Sequence, residues 1–141
     1  MAHQVGQYKL RILESHLDSY GHVNNATYLE MYEEARWEMV TTNGYGYQKV
    51  HQTGQGPIIL EVQIKFLKEL RLREEITITS EVIGYQGKIG QLKQQMIKSD
   101  GTIASEATFV MGLFDLKARK MIAPTEEWKT AIGWDAGTQK P

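Results

Sequence analysis

The stretch DSYGHVNNATYLEMYEEARWEMVTTNG, residues 18–44, holds the change of pattern on which the fold turns. Its first part, Asp18 to Asn25, is polar and contains a glycine. From there apolar residues recur at Ala26, Leu29, Tyr32, Ala35 or Arg36, and Met39-Val40, the three-to-four spacing of one helix face. Asn24 or Asn25 suits the N-cap, because a short amide side chain accepts a hydrogen bond from a first-turn N–H that lacks a partner inside the helix. Asn43-Gly44 closes the segment, since glycine tolerates the left-handed turn after a last helical residue. The expected helix is about 17 residues long.

On both sides the period changes to two. Tyr8, Leu10 and Ile12 alternate with Lys9, Arg11 and Leu13; Leu60, Val62, Ile64 and Phe66 alternate with Glu61, Gln63 and Lys65. Ile76, Ile78, Ser80 and Val82, then Leu92, Gln94 and Met96, continue the strand pattern. Gln86-Gly87-Lys88 and Ser99-Asp100-Gly101 are short enough for antiparallel hairpins. The run Thr102 to Leu116 is long for one strand, and Gly112 marks an expected bend or bulge in it. Pro124 suits the first turn of a terminal helix reaching about Ile132. Strand, long helix, then four strands indicate an α+β domain over residues 1–141: a five-stranded antiparallel sheet packed on one long helix, with a short C-terminal helix. Such a sheet leaves its edges bare, and a second face that is partly apolar through Ile59, Ile83, Ile97 and Phe109. The pattern therefore predicts a homo-oligomer, a homodimer or homotetramer.

Composition narrows the chemistry. The chain has 141 residues, 41% of them hydrophobic, enough for one self-sufficient core. It has no cysteine, which removes disulfides, a thiolate nucleophile and a Cys-ligated zinc site. Sixteen basic residues against 17 acidic ones, a net charge of -1, argue against nucleic acid as a partner. No window approaches the roughly 18 to 20 apolar residues of a membrane span, and the expected location is cytoplasmic. His3, His16 and His51 lack a partner spacing for a metal site, and no cofactor is expected.

What remains is oxygen and nitrogen chemistry, densest from His16 to Tyr28, just before the expected helix. Free N–H groups and the macrodipole make a helix N-terminus a place where a developing oxyanion is stabilised, with Asp18 near it as base or nucleophile. The same loop also reads as an ordinary capped strand-to-helix connection, and His22 as an ordinary loop histidine. Glu33 is expected to pair with Arg36 or Lys49, Glu34 and Glu38 to be solvated, and Arg36 to be tied down by a carboxylate in the middle of the helix. Lys65, Lys68, Arg71 and Arg73 form the most basic segment, suited to phosphates or to a solvated strand end.

The string Asp18-Ser19-Tyr20-Gly21-His22-Val23-Asn24-Asn25-Ala26-Thr27-Tyr28, followed by Glu33-Glu34-Ala35-Arg36-Trp37, resembles the signature of hotdog-fold acyl-CoA thioesterases of the 4-hydroxybenzoyl-CoA thioesterase class. It is most similar to the bacterial long-chain acyl-CoA thioesterase III branch, over about residues 8–123. The resemblance implies a hotdog fold and hydrolysis of medium- to long-chain acyl-CoA. Asp18 matches the family's nucleophile or general base, and Asn25 the residue whose backbone N–H polarises the thioester carbonyl. His22 and Asn24 match residues that orient Asp18 or the attacking water. Plant acyl-carrier-protein thioesterases share the His-Val-Asn-Asn segment but carry an Asn where this chain has Tyr20, so their Asp-Asn-His arrangement is incomplete here. Some family members instead place the catalytic carboxylate on the helix, where Glu30, Glu33 and Glu34 lie. The phosphates of CoA would fall to Lys65, Lys68 and Arg71. Tyr28, Met31, Tyr32, Trp37 and Met39 would line an acyl channel or belong to the core. The alternatives are an acyl-CoA-binding protein without catalysis and a 3-hydroxyacyl thioester dehydratase.

Overall fold

The computed structural model describes residues 5–135. His3 lies outside them. The elements run β1 (Gly6–Arg11), a 3-10 turn (Glu14–His16), α1 (Asn25–Thr42), α2 (Tyr47–Thr53), β2 (Gln55–Phe66), β3 (Glu75–Gln86), β4 (Ile89–Lys98), β5 (Ile103–Asp115), β6 (Lys120–Ile122) and α3 (Glu126–Ala131). The five long strands make an antiparallel sheet in the order β1-β3-β4-β5-β2, and the short β6 pairs with β5. This is the α+β hotdog architecture implied by the sequence, a sheet curled around one long helix.

Both hairpins form where expected, with Gly87 and Gly101 at positive φ in their turns. The helix also starts and stops as expected: Asn24 is the N-cap and Asn43 the C-cap, with Gly44 at φ 90°. Its buried stripe is offset from the expected one. Tyr28, Met31, Tyr32, Ala35 and Val40 face inward, whereas Ala26 and Leu29 are exposed. Tyr28 and Tyr32 bring much of the apolar area that this face buries.

α1 packs against β1, β3 and α3, at one side of the sheet. β2, at the other edge, is therefore poorly covered. Leu60, Val62 and Phe66, expected to alternate into a core, are 38 to 47% exposed. An edge strand that the helix touches only locally, as at Tyr28 against Phe66, keeps its strand pattern with most of its side chains exposed. The bare apolar surface thus concentrates on β2, with Ile59 among it; Ile83 is also exposed, and Ile97 is half-buried. Phe109 is corrected from the second face to the core: it is 2% exposed and meets the Tyr32 ring edge-on at 6.0 Å.

The Thr102–Leu116 run does carry an irregularity, at Ala104 rather than Gly112, where the pairing passes from Met96↔Ser105 to Ile97↔Ile103; β2 shifts register between Ile59 and Glu61, and β3 between Val82 and Gly84. Gly112 is required by close packing: a Cβ there would stand 2.6 Å from the Lys88 carbonyl oxygen. Pro124 precedes the third helix instead of opening it, since Thr125 is the N-cap and its side chain accepts from the Trp128 N–H. Two elements, α2 and β6, were not expected from the sequence. They span 7 and 3 residues, too few to show a period.

Candidate active site

The loop before α1 is closed by its own backbone. Leu17 and Val23 form an antiparallel bridge, the Asp18 N–H donates to the His22 carbonyl (2.8 Å), and the Gly21 N–H donates to the Asp18 carbonyl (3.0 Å). Gly21 sits at φ 81°, a conformation that costs a side-chain-bearing residue. Inside this loop Asp18 Oδ1 accepts from the Tyr20 N–H (2.9 Å) and the His22 N–H (3.2 Å). Among the described residues Oδ2 has no such partner. The carboxylate is half-buried and held by one oxygen, with the other open to chemistry.

Asn24 spends its side-chain oxygen on the Ala26 N–H (2.8 Å), so it organises the helix end and does not reach Asp18. The N–H of Asn25, first in the helix, has no intrahelical acceptor and stands where the macrodipole is positive. Asn25 is exposed and lines a cleft of about 400 Å³ together with His22, Tyr28, Phe66, Lys68 and Glu69. The far wall of this cleft is the turn after β2. It is pinned by the Leu67 and Lys68 N–H groups, both donating to the Ala104 carbonyl (2.9 and 3.0 Å), and by Leu70, 1% exposed. The Tyr28 and Phe66 rings meet edge-to-face at 4.9 Å across its floor. Burial, and then the negative charges of Glu69 and Glu74, raise the Tyr28 phenol's pKa.

The expected site residues thus divide. Asp18, His22, Asn24 and Asn25 lie in one loop and helix start, but only His22 and Asn25 of these line the cleft, where Tyr28 and Lys68 join them; Asp18 and Asn24 stand behind it in the loop. Tyr32 is corrected to the core: it is fully buried, its hydroxyl donates to Ser105 Oγ (2.7 Å), and it does not line the cleft. Lys65 and Arg71 do not line the cleft either; Lys65 lies opposite Glu106 on the sheet, and the Arg71 backbone N–H donates to Glu74. The His22 ring does not reach the Asp18 carboxylate. Its Nε2 stands 3.4 Å from Glu69 Oε1, a carboxylate partner that sequence reasoning missed because no local spacing links two loops so far apart in the chain.

Further along α1 the polar groups are closed off. Arg36 donates to Gln94 Oε1 (3.1 Å) and its guanidinium lies 4.5 Å from the Phe109 ring centre. Gln94, fully buried, donates to the Tyr32 carbonyl and to Ser80 Oγ. Burial pulls the Arg36 pKa down to about 10, against the opposing charge of Glu33. The expected carboxylate clamp on Arg36 is replaced by this amide and ring. Lys49 pairs with Glu127 rather than Glu33, and Glu34, expected to be solvated, accepts a hydrogen bond from the Tyr8 hydroxyl. That bond first, then burial and the charges of Glu34 and Glu38, push the Tyr8 phenol up to about 12. Trp37 and Met39 line a second, apolar cleft with Val40, Met111, Trp128 and Ile132; Met31 and Tyr28 do not. His16 Nδ1 accepts from the Leu13 N–H, and His51 stacks edge-on against Tyr47.

Residues 13–132 match the thioesterase-like superfamily. The chain belongs to that superfamily. It is 31% identical over 119 residues to the long-chain acyl-CoA thioesterase FadM of Escherichia coli strain K12, covering 83% of this chain and 89% of FadM. The crystal structure of the probable thioesterase YbaW of Escherichia coli superposes with a TM-score of 0.80 at 28% identity, over 92% of this chain and 99% of that one. A Staphylococcus aureus protein solved in complex with CoA shares the fold, with a TM-score of 0.86 at 22% identity, over 100% of this chain and 89% of that one. The thioesterase-like protein described here is a thioester hydrolase. Among its described residues no helix is long and apolar enough to cross a membrane.

Proposed function

We propose that this thioesterase hydrolyses medium- to long-chain fatty acyl-CoA to free fatty acid and coenzyme A, with Asp18 as the reactive carboxylate. The observation that carries the reading is that the loop holding Asp18 by one carboxylate oxygen leads directly into the start of α1, where the Asn25 N–H has no intrahelical acceptor. The carbonyl oxygen of the thioester accepts from that N–H, and negative charge developing on it is stabilised by the helix end. Asp18 Oδ2 takes a proton from water as the water oxygen bonds to the carbonyl carbon. The C–S bond then breaks, and the thiolate leaves and takes up the proton. In the variant of this route in which Asp18 attacks the carbonyl itself, the mixed anhydride is hydrolysed in a second step.

Lys68, at the rim of the same cleft, supplies charge for the phosphates of CoA, and Tyr28 with Phe66 supplies an apolar surface for the thioester's neighbours. The apolar cleft beside Trp37, separate from the Asn25 cleft, offers a surface of the kind an acyl chain occupies. The bare apolar residues of β2 support a homodimer or homotetramer in which that edge is covered.

Purified protein is expected to release free thiol from acyl-CoAs, with kcat/KM rising toward the longer chains. Asp18→Asn is expected to abolish nearly all of it. Unchanged turnover in that variant would remove Asp18 from the mechanism, and a preference for short or aryl acyl groups would overturn the substrate class.

A further inference from the structure

The one carboxylate among the residues that line the cleft, Glu69, faces the histidine of the signature loop. Glu69 lies on the turn after β2, with its backbone clamped: the Lys98 ammonium donates to its carbonyl (2.7 Å), and neighbours on both sides are tied to the sheet or buried. From this fixed point Oε1 reaches to 3.4 Å from His22 Nε2, and both residues line the cleft with Asn25. Both side chains are more than half exposed, so the pair contributes little to holding the fold.

Resting on the reading of this cleft as the hydrolytic site, we propose that Glu69 is the positioning residue for His22. Its carboxylate fixes the tautomer with the proton on Nε2, leaving Nδ1 as the lone-pair nitrogen. Carboxylates commonly set the tautomer and orientation of a working imidazole in this way. Nδ1 then accepts a hydrogen bond from the attacking water and turns an oxygen lone pair toward the carbonyl carbon, while Asp18 takes the water's other proton. The His22 backbone N–H meanwhile holds Asp18 Oδ1 at 3.2 Å, so one residue orients both participants. The 3.4 Å separation is looser than a hydrogen bond, as catalytic contacts without substrate often are, and tightens when the cleft is filled.

The test is a double-mutant cycle with CoA-thiol release read as kcat and KM separately, on Glu69→Gln, Glu69→Asp, His22→Ala and the double variant Glu69→Gln/His22→Ala. Glu69→Gln is expected to lower kcat roughly 10- to 100-fold with KM nearly unchanged, less than the loss of the reactive carboxylate itself. Glu69→Asp should recover part of that loss, and Glu69→Gln should have no further effect once His22 is Ala. Thermal melting is expected to be the same for all four variants. Wild-type kcat in Glu69→Gln, or losses that multiply in the double variant, would overturn the proposal while leaving the hydrolytic reading intact. Absence of thiol release from the wild type would overturn both.

Discussion

The two halves of α1 use polar side chains in opposite ways. In its middle, Arg36, Gln94, Tyr32, Ser80 and Ser105 form a buried cluster in which each group finds partners within the chain. At its start, Asp18 keeps one oxygen open, the Asn25 N–H has no intrahelical acceptor, and His22 and Glu69 face each other across an exposed cleft. A buried polar group without a partner costs stability, so the inner cluster is closed. Water can satisfy the outer groups until substrate replaces it, so they are free to remain open. The inner cluster therefore serves the fold and the outer one serves chemistry.

That contrast is sharpest in Asp18→Asn. The amide oxygen can keep both loop bonds, so the melting temperature should stay near wild type, while thiol release falls by about 10²- to 10⁴-fold, the range for loss of an acid–base group. A protein that instead unfolds would make Asp18 a structural residue and erase the distinction. Gln94→Leu should do the reverse. It strands Arg36 and Ser80, and urea denaturation is expected to show a loss of about 2 to 3 kcal/mol, with kcat of the folded fraction retained.

Asn24 stands between the two regions, since its cap belongs to the fold but presents the Asn25 N–H. Asn24→Ala should cost about 1 kcal/mol in the same denaturation experiment. It should also lower kcat several-fold more than KM changes, as the first turn frays. A stability loss with kcat untouched would separate the cap from the carbonyl site. The smallest effect concerns Tyr8, which ties β1 to the outer face of α1 through Glu34. Its pKa is raised from 10.0 to about 12, so its stabilising contribution is whole below pH 10 and is lost as pH rises through 12. Wild type should therefore exceed Tyr8→Phe slightly in stability at pH 8, and that margin should disappear near pH 12.

The helix limits, both hairpins and the four-strand run were legible because each is signalled locally, by an amide cap, a glycine at positive φ or a two-residue period. The loop of the candidate site was legible for the same reason: Asp18, His22, Asn24 and Asn25 are near neighbours in sequence. Sequence periodicity placed Tyr32, Ala35 and Val40 on the inner face correctly but missed Tyr28 and Met31, which take that face in the first turns while Ala26 and Leu29 turn outward. It also left β2's coverage open, since alternation looks the same on a covered strand and on an edge.

By itself, the sequence determined the order of elements, the absence of any thiol and the carboxylate beside a helix start. Only the tertiary structure decided which of the named residues share a cleft. It brought Glu69 and Lys68 to His22 and Asn25, sent Tyr32 inward to Ser105, and left Lys65 and Arg71 outside. The reason is physical: capping and alternation act between residues a few positions apart. The cleft, in contrast, is closed by sheet hydrogen bonds at Ala104 and by packing of Leu70, contacts that no local pattern encodes.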